Sequence, residues 1–214
     1  MQDNIEMYTH QKQIIKAGTP LDKAKGALVM LHWRGGTAGN IISLAEEFGM
    51  TDMAIIAPQA TNNSWYPYSF MAPVAENQPA LDSALELIGA AVDEIIAGGI
   101  AAGDIYFAGF SQGACITLEY VARNAQRFGG VVAFTGGLIG EEIATANYGG
   151  NFNGTPVLIT TGDPDPHVPV SRVEESAVIL RNMGANVTVK IYKGRPHTIT
   201  IDEIKLAKQL IFNS

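Results

Sequence analysis

The sequence predicts an α/β protein in which a mainly parallel sheet carries helices on both faces. Short, continuous apolar runs rich in β-branched residues recur along the chain, segments with helical spacing lie between them, and the two alternate over most of its length. A strand covered on both faces reads as an unbroken apolar run because neither face meets water. Alternation of such strands with helices implies crossovers between parallel neighbours.

Taken in order, residues 11–17 form a mixed-polarity segment that predicts an N-terminal strand, and residues 27–32 and 53–57 predict buried strands. Leu81, Ala84, Leu85, Ile88, Val92, Ile95 and Ile96 then follow at spacings of three and four, which puts them on one stripe of a helix stopped by Gly98-Gly99. A strand over 105–108 leads into the helical run Ala114-Cys115-Ile116-Thr117-Leu118-Glu119, and further strands are expected over 131–134, 157–161 and 187–192. Two late helices are marked by Ser171-x-x-Glu174 and Thr200-x-x-Glu203, the pattern of a capping box, and Gly184 marks the end of the first.

Composition narrows the function. The 214 residues, 47% of them hydrophobic and 16% charged, suit one globular domain spanning 1–214 with a sizeable core. The apolar runs reach only about six residues, against roughly 20 for a membrane span. The start, Met1-Gln2-Asp3-Asn4-Ile5-Glu6, has neither the basic nor the apolar segment of a secretory leader, so a cytoplasmic location is expected. Cys115 is the sole cysteine, which excludes an intrachain disulfide and a cysteine metal cluster. No histidine opens an H-E-x-x-H pattern, and no metal or cofactor is expected. A net charge of −7 repels phosphate backbones, so nucleic acid is not an expected partner. A monomer and a homodimer both remain open.

In open parallel sheets ligands collect beyond the carboxyl ends of the strands, so the loops there carry the chemistry. Gly109-Phe110-Ser111-Gln112-Gly113 lies between a predicted strand and a predicted helix, the context that a G-x-S-x-G nucleophile elbow requires. Ser111 would stand on a sharp turn at a helix N-terminus, and the Gln112 amide would face a developing oxyanion. The plainer alternative is that Ser111 only caps the helix.

A serine hydroxyl needs a neutral imidazole to take its proton and a carboxylate to orient that imidazole. Downstream, Gly162-Asp163-Pro164-Asp165-Pro166-His167-Val168-Pro169 follows one predicted strand and Lys193-Gly194-Arg195-Pro196-His197 follows the last. The chain order nucleophile, acid, histidine favours His197 as the base over His167. Asp163 and Asp165 are equivalent on residue chemistry alone. His32 reads as a brace for its loop and His10 as a surface residue.

Leu31-His32-Trp33-Arg34-Gly35-Gly36, the elbow, Gly162-x-x-Asp165-x-x-Val168-Pro169 and His197 together resemble the carboxylesterase, phospholipase and acyl-protein thioesterase family over about residues 27–212. The resemblance implies an α/β-hydrolase fold, with Asp165, the fourth residue of G-x-x-D-x-x-V, as the catalytic acid and Asp163 a turn residue. It also implies the Arg34 amide as the second oxyanion donor. The family usually has glycine where this chain has Trp33, and tryptophan tolerates glycine-only backbone angles poorly.

Between Pro58 and Pro79 the loop Asn62-Asn63-Ser64-Trp65-Tyr66-Pro67-Tyr68-Ser69-Phe70-Met71 is too long and too aromatic for a plain connection. Trp33, Trp65 and Tyr66 are the candidates to wall a substrate pocket, against the alternative that the loop aromatics pack onto the core. No long helical insertion is present to act as a lid. Arg195 reads as solvated rather than substrate-facing, and Cys115 as a small core residue. The expectation is a serine carboxylesterase acting on a small-molecule ester of short to medium acyl or aromatic type. Thioesters, lysophospholipids, and ligand binding without turnover are the rivals.

Overall fold

The computed structural model describes residues 7–212. Residues 1–6, on which the reading of the start of the chain rests, lie outside the described residues. Seven strands form one sheet in the order β1-β3-β2-β4-β5-β6-β7: β1 (Ile14–Gly18), β2 (Gly26–Leu31), β3 (Met53–Pro58), β4 (Ile105–Phe110), β5 (Gly130–Phe134), β6 (Pro156–Asp163) and β7 (Asn186–Lys193). Every neighbouring pair is parallel except β1 with β3. β1 is the weakly patterned N-terminal strand, and its half-exposed residues reflect its edge position. It begins later than residue 11, because Gln11 and Gln13 bond to the loop after β3 instead.

The helices are α1 (Ala38–Phe48), α2 (Ala80–Ala97), α3 (Gln112–Arg123), α4 (Val170–Asn182) and α5 (Ile201–Ala207). Alternation along the strands divides the core into two layers. Ala27, Val29, Leu31, Phe107 and Val131 face the layer that holds Ile88 and Ile95 of α2 and Leu118 of α3. Leu28, Met30, Ala108, Val132 and Phe134 face Ile41 and Phe48 of α1 and Ala207 of α5. Each fully buried Leu, Ile, Val or Phe contributes about 1.5–3 kcal/mol, so both faces are strongly held.

The apolar pattern leaves α1 unmarked. It is announced instead by Thr37, whose hydroxyl accepts from the Asn40 amide at 3.1 Å while Asn40 Oδ1 accepts from the Thr37 amide at 3.1 Å, and it ends at Gly49 with φ of 68°. The box expected at Ser171-x-x-Glu174 does not form. Pro169 occupies the N-cap in extended conformation and α4 starts at Val170, so Ser171 is already inside the first turn. The Thr200-x-x-Glu203 box does form, with Glu203 accepting from the Thr200 amide at 2.9 Å. Gly184, at φ of 86°, turns the chain out of α4. Among the described residues no helix is long and apolar enough to cross a membrane.

Candidate active site

The carboxyl ends of β2, β3, β4, β6 and β7 converge on one cavity of about 490 Å³. Its floor is the elbow between β4 and α3. Ser111 has φ of 54° and ψ of −118°, a left-handed conformation that costs a non-glycine residue on the order of 1–3 kcal/mol and persists only where its surroundings enforce it. The enforcement is visible: the Ser111 amide donates to Phe134 O at 2.9 Å, and the Cys115 amide donates to Ser111 O at 3.0 Å. The two flanking glycines are required by close approach. A Cβ on Gly109 would lie 2.3 Å from Gly113 O, and one on Gly113 would lie 2.0 Å from Leu31 O. Gly113 thus meets the end of β2, which locks the elbow against the loop carrying Arg34.

Ser111 does not cap α3 with its side chain. Its Oγ instead lies 2.8 Å from His197 Nε2, and His197 Nδ1 lies 2.9 Å from Asp165 Oδ2. Asp165 Oδ1 accepts from the amides of His167 at 2.9 Å and Val168 at 3.0 Å. Burial by itself pushes the Asp165 carboxyl up, but the hydrogen bonds from His197 and those two amides outweigh it and hold the group below the ordinary aspartate value. Asp163 is exposed, and its carbonyl accepts from the Gly194 amide at 2.8 Å in a turn role. His167 stands exposed beside His197, with ring centroids 4.9 Å apart and edge to face.

The His197 loop depends on Arg195, which sequence reading misplaced. Arg195 is 6% exposed, not solvated. Its guanidinium donates to Thr135 Oγ1 at 2.6 Å, to Pro196 O at 2.9 Å and to Thr198 O, so it grips the carbonyls on either side of His197. Glu203, fully buried, lies 3.5 Å from Arg195 Nε and accepts from Thr160 Oγ1 at 2.5 Å. Glu203 is also the N3 residue of the α5 box, so a cap read from sequence doubles as the counter-charge to Arg195 beneath the His197 loop.

The opposite wall is the loop after β3. Tyr66, Tyr68 and Phe70 line the cavity there, Trp33 and Arg34 line it from the loop after β2, and Phe110 and Val168 close it. Trp65 does not line it. It is fully buried, its Nε1 donates to His32 O at 2.7 Å, and its amide donates to Gln112 Oε1 at 2.9 Å. Gln112 Nε2 in turn donates to Tyr66 O at 2.8 Å. One residue therefore places its backbone amide next to Ser111 and its side chain inside the aromatic loop.

His32 braces the loop as expected: the Ala60 amide donates to its Nε2 at 3.1 Å, which leaves Nδ1 as the donor to Trp33 O at 2.8 Å. His10 is a clamp rather than a surface residue, accepting from the Thr61 amide at 3.0 Å and donating from Nε2 to Trp65 O at 3.0 Å. Burial is the leading cause that lowers the pKa of both histidines, which favours the neutral forms these bonds need. Burial likewise pushes the Cys115 thiol up to about 12, an inert core residue.

The Trp33 substitution carries no left-handed strain, because positive φ falls on Gly35 at 80° and not on residue 33. The Trp33 ring packs over Gly36, where a Cβ would come within 2.8 Å of it. Among the described residues, no acceptor engages the amide of Arg34 or of Gln112.

Residues 13–213 match the sequence model of the family described as Phospholipase/Carboxylesterase. The crystal structure of a phospholipase/carboxylesterase from Dyadobacter fermentans DSM 18053 is 65% identical, superposes with a TM-score of 0.95, and aligns over 96% of this chain and 99% of its own. A protein of Oryza sativa subsp. japonica named "Probable carboxylesterase" is 29% identical over 184 residues, 79% of this chain and 68% of that protein. Acyl-protein thioesterase 1 of Kluyveromyces lactis is 24% identical over 212 residues, 89% of this chain and 92% of that protein.

Proposed function

Since this chain belongs to the phospholipase/carboxylesterase family and is a serine hydrolase, we propose that it cleaves short to medium acyl or aromatic carboxylic esters through an acyl-enzyme, as one domain, with Ser111, His197 and Asp165 as its triad. The observation that carries this reading is the unbroken line of contacts from Ser111 Oγ through His197 to Asp165, at 2.8 and 2.9 Å.

Asp165 accepts from Nδ1–H and so leaves Nε2 unprotonated toward Ser111. Ser111 Oγ attacks the ester carbonyl carbon as His197 Nε2 takes its proton, and the negative charge moves onto the carbonyl oxygen. The Gln112 amide, at the N-terminus of α3, and the Arg34 amide donate to that oxygen. Collapse of the tetrahedral species breaks the ester bond, and His197 returns its proton to the leaving alkoxide. Water then repeats the sequence on the acyl-enzyme and frees the carboxylic acid. Trp33 and Tyr66 wall the acyl or alcohol portion, and the cavity of about 490 Å³ suits a small ester.

The Ser111→Ala variant is expected to lose about four to six orders of magnitude in kcat on p-nitrophenyl butyrate, the usual consequence of removing a triad nucleophile. Undiminished turnover would refute the assignment. A fluorophosphonate probe should label Ser111 in the folded protein; failure to label would favour ligand binding without turnover. The thioesterase named among the relatives motivates a second reading, thioester cleavage by the same groups. An ester and thioester pair sharing one acyl chain separates the two by kcat/KM.

A further inference from the structure

Arg34 lines the cavity, yet its charge is unanswered. Arg123, Arg172 and Arg195 each lie within 4.0 Å of a carboxylate, at Glu119, Glu175 and Glu203 respectively. Among the described residues no carboxylate lies within that distance of Arg34, and no Asp or Glu lines the cavity. The guanidinium is nevertheless held in place. Nη1 donates to Ser64 Oγ at 3.1 Å and to Pro67 O at 2.7 Å, Nη2 donates to Tyr68 O at 2.6 Å, and the group lies 5.9 Å from the Tyr66 ring centroid.

Three neutral acceptors therefore use three of its five N–H groups, and the Nε hydrogen and one Nη2 hydrogen have no acceptor among the described residues. A planar guanidinium with two donors to spare is matched by the two oxygens of a carboxylate. Its rotamer is already set by the loop carbonyls, so an anion that binds it does not have to order a flexible side chain. The Arg34 amide faces the reacting carbonyl in the reading above, so the guanidinium of the same residue can meet a charge only a short spacer from the scissile bond.

We infer that the ester taken by this site is anionic, with a carboxylate or equivalent negative group on its short acyl or alcohol portion bound by the Arg34 guanidinium. The inference rests on the Ser111 reading for the cleavage step and adds the substrate class. In the full-length protein, monomethyl succinate and methyl butyrate differ by a carboxylate in place of a terminal methyl, and pH-stat titration follows both.

Wild-type kcat/KM should favour monomethyl succinate by about tenfold to a hundredfold, the range of a charge-assisted hydrogen bond to a fixed partner. In Arg34→Gln the ratio of the two esters should fall to about one, and Arg34→Lys should restore part of it. The ratio is read within each variant, so a general loss from disturbing the 64–68 loop cancels. Protection of Ser111 from a fluorophosphonate by each ester supplies the same ratio where turnover is slow.

A wild-type preference for methyl butyrate, equal protection by the two esters, or a ratio kept in Arg34→Gln would overturn the inference. Ser111→Ala losing both hydrolyses, with the ratio absent in wild type, would sink the anion specificity and leave the triad standing. Both hydrolyses persisting in Ser111→Ala would instead sink the triad.

Discussion

The wall that carries His197 and Asp165 is held by a buried ion pair, whereas the wall formed by the loop after β3 is held by neutral histidines, one glutamine amide and the exposed Arg34 guanidinium, which has no carboxylate beside it among the described residues. On the first side Arg195 and Glu203, 6% and 0% exposed, face each other as an ion pair at 3.5 Å; Arg195 Nε makes no hydrogen bond, while its Nη groups donate to Thr135 and Pro196 and Glu203 accepts from Thr160. On the second, His10, His32, Trp65 and Gln112 exchange hydrogen bonds between uncharged groups, and Arg34 donates to Ser64 Oγ, Pro67 O and Tyr68 O. The difference lies in how each side fails. Removing one member of a buried ion pair strands the other charge at about 3–5 kcal/mol. Removing one neutral hydrogen-bonding partner costs about 1–3 kcal/mol. A single substitution should therefore cost more on the His197 side than in the pocket loop.

The largest effect expected on the charged side is on rate. Asp165→Asn should lower kcat by about three to four orders of magnitude, because an amide can stabilise the wrong imidazole tautomer, while Asp163→Asn should stay within about threefold. Steady-state kinetics of the pair decide it, and an equal loss in both variants would remove the distinction between the two aspartates.

Next comes stability. Glu203→Gln leaves the Arg195 guanidinium without its counter-charge and should cost about 3–5 kcal/mol in urea unfolding. A loss below about 1 kcal/mol would mean that the charged wall is no more cooperative than the neutral one.

A smaller change is expected from Gln112→Met, which strips the acceptor from the Trp65 amide and the donor from Tyr66 O. About 1–3 kcal/mol should be lost, with KM rising more than stability alone predicts as the aromatic wall loosens. KM unchanged with stability reduced would show that the loop keeps its shape by packing.

The smallest effect is with pH. His10 and His32 have folded pKa values lowered, chiefly by burial, from an unfolded value near 6.5. The unfolded chain takes up those protons first, so their contribution is full above about 6.5 and is lost as pH falls through the folded values. Asp165 is also depressed, from 3.8, so its contribution is present above that value and disappears only as pH falls below it. Acid should therefore loosen the neutral wall before the charged one. Unfolding free energies between pH 7 and 5 should decline in wild type and less so in a His32→Gln variant. Equal slopes would assign the acid sensitivity elsewhere.

The elbow and the alternation of strands and helices were legible because each depends on residues a few positions apart, whereas His197 was reached through loop order, 86 positions beyond Ser111, and Asp165 was separated from Asp163 through the family resemblance. α1 was missed because the glycines at 35, 36 and 39 blur its start, although Thr37 and Asn40 spell a box. Arg195 was read as solvated and His10 as superficial because their partners are distant in the chain. Arg195 reaches Thr135, 60 positions away, and His10 reaches Trp65, 55 positions away. Trp65, offered as a pocket wall, packs beneath the pocket for the same reason: its bonds run to His32 and Gln112.

Sequence alone determined the α/β class and the placement of Ser111, the segment carrying Asp163 and Asp165, and His197 on loops at one edge of a parallel sheet, the resemblance to a family adding the choice of Asp165. Local spacing dictates which side chains an elbow or a strand end presents. Tertiary structure decided which groups stand opposite them: that Trp33 sits in ordinary backbone because Gly35 takes the positive φ, that Arg195 supports the base, and that Arg34 is pinned with N–H groups to spare. Those outcomes follow from contacts between segments that only folding brings within hydrogen-bonding distance, where burial and the partners at hand set each side chain's role.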